Sequence, residues 1–101
     1  EDFAAAVITL LNSTDIKFEA FNIGSGLKTT VGDVVNWSIK HSGHTPSKVH
    51  YDLGKPSTIK FRALDVSKIK KVTGWKPVYS IEEGIIKTIE WWNKNKETWK
   101  R

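Results

Sequence analysis

A chain of 101 residues, 39% hydrophobic and 27% charged, has the size and composition of one modest folded domain. It holds no cysteine, which excludes disulfides and thiolate metal sites and fits a reducing compartment; the expected location is the cytoplasm. The formal net charge of +5 suggests an anionic partner, and no apolar run approaches the roughly 20 residues of a membrane span, so no membrane is expected.

In chain order, the first predicted element is a helix over 2–11, rich in Ala, Val, Ile and Leu and ended by Asn12 and Ser13. Residues 18–23 alternate Phe18, Ala20 and Asn22 with Glu19, Phe21 and Ile23, the pattern of a short strand with apolar side chains on both faces. Gly24-Ser25-Gly26 follows as a tight turn. Thr30 is the expected N-cap of a second helix, with Asp33 in its first turn. Val31, Val34, Val35 and Ile39, with Trp37 beside them, carry that helix to about His41, and Gly43 stops it. Residues 46–51 read as extended, 54–57 as a loop, and 59–64 as extended again.

Asp65 is the expected N-cap of a short helix over 66–73 closed by Gly74, and Pro77 forces a break after it. Ser80 and Glu83 have the spacing of a capping box at the start of the last helix. Its apolar stripe is Ile81, Ile85, Ile89 and Trp92, and Lys94 and Lys96 favour its negative end. Helices alternating with short extended pieces give an expected α/β class, with about four helices and short strands.

Several patterns resemble chemistry and fail on inspection. Gly24-Ser25-Gly26-Leu27-Lys28 lacks the lysine directly after the last glycine that a Walker loop needs. Thr29 takes the third glycine position of a dinucleotide fingerprint. Tyr51 and Lys55 have the Tyr-x-x-x-Lys spacing, but Gly54 weakens a helix there and Pro56 pushes Lys55 toward extended backbone. His41, His44 and His50 have no carboxylate at ligand spacing, so no metal site is expected. Of the five tryptophans, Trp37, Trp75 and Trp92 are expected in the core, and Trp91 and Trp99 exposed. No nucleophile system is present, and no catalytic residue is assigned. The basic clusters, Lys68, Lys70, Lys71 and Lys76, then Lys94, Lys96, Lys100 and Arg101, read as solvated faces.

Four segments in order carry more: Phe21-Asn22-Ile23-Gly24-Ser25-Gly26, then Leu64-Asp65-Val66-Ser67-Lys68-Ile69-Lys70, then Gly74-Trp75-Lys76-Pro77, then the run from Ser80-Ile81-Glu82-Glu83 to Trp91. With the opening Asp2-Phe3-Ala4-Ala5-Ala6, they resemble the C-terminal third of extended short-chain dehydrogenases/reductases, the NAD-dependent epimerases and dehydratases of nucleotide sugars. The resemblance implies a Rossmann-type parent. Residues 1–30 would supply the last helix and strand of its Rossmann domain, and 31–101 the C-terminal substrate-binding domain.

The resemblance further implies that NAD or NADP serves the parent through residues absent from this chain, so no cofactor and no catalysis are expected of the chain itself. The family's substrate-diphosphate arginine would be replaced by Lys55, in a Lys55-Pro56-Ser57-Thr58 sequence similar to that of fucose-synthase-like members. Lys55, Thr58 and Arg62 are the expected substrate-binding residues, and a nucleotide diphosphate sugar the expected partner. A strand over 18–23 without its neighbours would favour self-pairing into a homodimer. The competing reading is a free-standing basic module binding nucleic acid or an acidic partner. Against it, the lysines interleave with core positions and form no continuous stripe, so nucleic acid is not expected.

Overall fold

A computed structural model of the chain describes residues 1–55 and 63–99. Among them four helices form: α1 (Asp2–Leu11), α2 (Val31–Ser42), α3 (Ser67–Thr73) and α4 (Ile81–Asn95). Several of their ends have a local cause. At the end of α1, the Asn12 N–H donates to the carbonyl of Ile8 at 3.1 Å, and the Ser13 hydroxyl donates to that of Thr9 at 2.8 Å. At the start of α2, the Thr30 hydroxyl accepts the Asp33 N–H at 3.0 Å, while the Asp33 carboxylate accepts the Thr30 N–H at 2.9 Å. That reciprocal pair satisfies two otherwise orphaned donors. Gly43 and Gly74 terminate α2 and α3, each at φ +72°, a conformation that favours glycine. Helix α4 begins directly after Ser80, the residue expected to precede it.

The expected α/β class is corrected: among the described residues there are helices and no strand. A strand exists only as one rail of a hydrogen-bonded ladder. Segment 18–23 is held by single side-chain bonds instead of a backbone ladder. Lys68 Nζ donates to the carbonyl of Ala20 at 2.9 Å, and Asn22 Nδ2 donates to that of Asp65 at 3.1 Å. Residues 46–51 are likewise irregular. Of the segment expected to be extended over 59–64, residues 59–62 lie outside the described residues, and Ala63 and Leu64 are irregular.

Two smaller corrections follow. Helix α3 starts at Ser67 with Val66 in the cap position, one residue later than expected. Asp65 still serves this end from outside: its carboxylate accepts the Ser67 N–H at 2.9 Å, and hydrogen bonding from the Ser67 side chain, then from its N–H, holds it below its ordinary pKa. Trp92, expected in the core, is 48% exposed in the last turns of α4. Trp37 and Trp75 are half-buried, whereas Trp91 and Trp99 are exposed and meet edge to face, with ring centroids 5.5 Å apart.

The chain divides into two compact units. The first joins Glu1–Lys28 to Ala63–Ser80 and holds α1 and α3. Its core contains Ala6 and Ile69, the fully buried hydrophobic residues among those described. The Asp2 carboxylate accepts the N–H groups of Val78 and Tyr79 at 3.2 and 3.1 Å, closing the unit's two ends on each other. The second unit contains the described residues of Thr29–Arg62 and Ile81–Arg101, with α2 packed against α4. Val35, Trp37, Ile39, Ile81, Ile85 and Ile89 are half-buried there.

Candidate functional site

Lys55 lies at the end of a tight turn. The Asp52 carboxylate accepts the Gly54 N–H at 3.0 Å, and the Asp52 carbonyl accepts the Lys55 N–H at 3.4 Å. Such an aspartate-led turn needs no helix or sheet to form, because the side chain supplies the acceptor. Lys55 is exposed, and its ammonium makes no ion pair with any described residue. Thr58 and Arg62, the other two expected contacts, lie outside the described residues. Tyr51 and Lys55 sit at the two ends of this non-helical stretch, so they do not share the helix face that a catalytic Tyr-Lys pair uses.

The Gly24-Ser25-Gly26 loop has a packing explanation. Gly26 has φ +69°, and a Cβ there would stand 2.8 Å from Val66 Cγ2. A Cβ on Gly24 would stand 3.3 Å from Leu64 Cδ1. The Ser25 hydroxyl accepts the Leu27 N–H at 3.2 Å and tightens the turn. The space that bare glycines leave open for a pyrophosphate in a dinucleotide site is taken here by Leu64 and Val66. The loop is therefore packed closed against its own chain, and no chemistry is routed through it.

One polar cluster was not expected from the sequence. Glu82 Oε1, in the first turn of α4, accepts from Lys40 Nζ at 2.9 Å and lies 2.7 Å from His41 Nε2, both in the last turn of α2. The hydrogen bond from His41, then that from Lys40, holds the Glu82 carboxyl below its ordinary pKa. The arrangement also suits the helix ends, placing an acid at a positive terminus and bases at a negative one. The sequence offers only a partial signal: acidic and basic helix ends are legible, but which end meets which is not. No group of three or more His, Cys, Asp or Glu that could hold a metal ion occurs among the described residues. With no nucleophile beside it, the cluster works as a clamp between helices.

No family model and no solved structure matches the chain. Curated relatives do. The chain is 32% identical over 95 residues to "Probable GDP-L-fucose synthase 1" of Oryza sativa subsp. japonica, a match covering 94% of this chain and 28% of that one. It is 35% identical over 100 residues to a trifunctional UDP-glucose 4,6-dehydratase/UDP-4-keto-6-deoxy-D-glucose 3,5-epimerase/UDP-4-keto-L-rhamnose-reductase of Arabidopsis thaliana, covering 98% of this chain and 15% of that one. It is 28% identical over 102 residues to dTDP-glucose 4,6-dehydratase 1 of Escherichia coli (strain K12), covering 94% of this chain and 28% of that one. The chain thus spans less than a third of the length of these relatives. Among its described residues, no helix is long and apolar enough to cross a membrane.

Proposed function

The chain belongs to the extended short-chain dehydrogenase/reductase family of nucleotide-sugar epimerases and dehydratases, and on that premise we propose that it is the nucleotide-sugar-binding part of such an enzyme. The observation that carries this reading is the similarity itself, which runs over 94% to 98% of the chain in relatives whose names all describe work on nucleotide sugars. Residues 31–101 are the substrate-binding portion, and residues 1–30 come from the cofactor-binding half. The intact enzyme is NAD- or NADP-dependent and cytoplasmic, with its cofactor loop and catalytic Tyr-Lys pair in other sequence. The chain itself contributes orientation of the substrate and choice of sugar.

Lys55, Thr58 and Arg62 contact the diphosphate of the substrate. The geometry around Lys55 supports this role: a short turn presents an exposed ammonium that makes no ion pair with any described residue. A lysine there acts as a point charge on phosphate, where an arginine would make a two-pronged contact. A homodimer is also part of the reading.

Titration of backbone amides with UDP-, GDP-, CDP- and dTDP-sugars tests the site. Shifts centred on Lys55 with one nucleotide sugar are expected. Lys55→Ala should weaken that binding by about tenfold, the scale of one charge-assisted hydrogen bond, and Lys55→Arg should retain it. Shifts with an oligonucleotide alone, spread over the lysine clusters, would overturn the reading in favour of a basic binding module. Steep salt dependence would accompany them.

A further inference from the structure

Tyr51 and Lys55 do not form a catalytic pair, yet Tyr51 has a place in the second unit. It directly precedes the Asp52-led turn that ends at Lys55. Its hydroxyl reaches the first turn of α2 and lies against Gly32: a Cβ on that glycine would stand 3.8 Å from Tyr51 Oη and 3.6 Å from Thr30 Oγ1. The rest of the turn has little to rest on. Asp52, Gly54 and Lys55 are exposed, and Leu53 is 93% exposed. Gly32 has no backbone reason to be glycine, since its φ is not positive and glycine weakens a helix. What the missing side chain leaves there is room for the tip of Tyr51.

We propose that Tyr51 is a positioning residue: its ring, seated on Gly32, docks the Asp52-led turn on α2 and so holds Lys55 where it meets the substrate diphosphate. This role rests on the reading of Lys55 given above. A lysine presented from a loose turn must order both the turn and its own long side chain when it binds, and each ordering step opposes binding. Docking the turn beforehand removes the first of those steps. Tyrosine suits the task because its rigid ring spans the gap with only two rotatable side-chain bonds. The seat is shallow, Tyr51 being 54% exposed, so a larger side chain at position 32 can dislodge the ring without disturbing the capping box made by Thr30 and Asp33.

Amide titration of the whole 101-residue chain with the four nucleotide sugars, repeated on variants, tests the role. Tyr51→Ala and Gly32→Leu should each weaken the binding seen at Lys55 by about threefold to tenfold, and by no more than Lys55→Ala does. Gly32→Leu should do so while slowing hydrogen exchange at the start of α2, because leucine is the better helix former. A purely structural contact would move both readouts in the same direction. In a Lys55→Ala background neither variant should weaken binding further, since a positioning residue acts only through the group it positions. Tyr51→Phe should stay within about twofold of the unaltered chain. Equal losses in Tyr51→Phe and Tyr51→Ala would overturn the proposal in favour of a direct bond from the hydroxyl to the substrate. Additive losses in the Lys55→Ala background, or unchanged binding in Gly32→Leu, would overturn it too. Backbone order parameters of Gly54 and Lys55 without ligand separate the seat from its premise, and they should fall in Tyr51→Ala and in Gly32→Leu. If no nucleotide sugar shifts Lys55, that fall would leave the seat standing and overturn the diphosphate reading. Order parameters unchanged in both variants would overturn the seat itself.

Discussion

The two compact units are held by different means. The first has a buried pair, Ala6 and Ile69, and long-range bonds from side chains to backbone: Asp2 to 78–79, Asn22 to Asp65, and Lys68 to Ala20. Lys68 does more than one job there, since its ammonium also sits 4.6 Å from the centre of the Phe21 ring and 2.8 Å from Glu19. The second unit has no fully buried hydrophobic residue among those described. It combines a half-buried seam between α2 and α4 with charge at matched helix ends. Buried apolar contacts do not titrate and are not weakened by charge screening, whereas exposed ion pairs are. The first unit should therefore answer mainly to damage to its packing, and the charges of the second should add a small contribution that depends on pH and salt.

The sharpest way to break that comparison is Ile69→Ala. Ile69 is fully buried, so its truncation should cost about 2–5 kcal/mol by urea unfolding, the usual range for a core cavity. Hydrogen exchange should rise in α1 and α3 and stay unchanged in α2 and α4. An equal rise in all four helices would show one cooperative body in place of two.

Gly26→Ala comes next, at about 2 kcal/mol. The new Cβ meets Val66 Cγ2 at 2.8 Å, and the +69° φ is unfavourable for alanine. Its urea midpoint should fall while the slope stays unchanged. In the second unit, Thr30→Ala removes one half of the capping box and should cost about 1 kcal/mol, read as faster exchange at the start of α2.

The smallest effect is expected from Glu82→Gln, and its signature is in pH. The folded Glu82 carboxyl lies below its ordinary value because His41 and Lys40 bond its charged form. Its contribution is therefore present above the ordinary carboxylate range and is lost as pH falls through the depressed folded value, from about pH 5 downward. Glu82→Gln should make the acid limb of the stability curve shallower, with the change confined to α2 and α4. An acid limb identical in both proteins would remove the clamp from the account of the second unit.

How much of this could be read from the residues varied by element. The extent of α1, the Thr30 cap with Asp33, and the glycine stops at Gly43 and Gly74 were all legible. Each depends on groups within a few positions of one another. Residues 54–57 were legible as a loop, but Lys55 was not legible as the end of an Asp52-led turn, because several turn types suit Asp-x-Gly. Asp65 was placed one residue too close to α3. Either Asp65 or Val66 can flank a helix start, and the choice depends on how Val66 packs near Gly26.

By itself the sequence determined the four helices and most of their ends, the start of α3 apart, because a helix closes its hydrogen bonds within its own segment and marks its ends with local chemistry. It also determined family membership, through the order and spacing of short motifs along the chain. Tertiary structure alone decided the rest. Segment 18–23 alternates like a strand, but alternation supplies no partner, and its contacts are with Lys68 and Asp65. Ile69 is fully buried while Trp92 at its own helical spacing stays half exposed. The clamp of Glu82 on Lys40 and His41 joins residues about forty positions apart. Ladders, burial and long-range ion pairs need a partner that lies distant in the chain, and only the folded arrangement selects it.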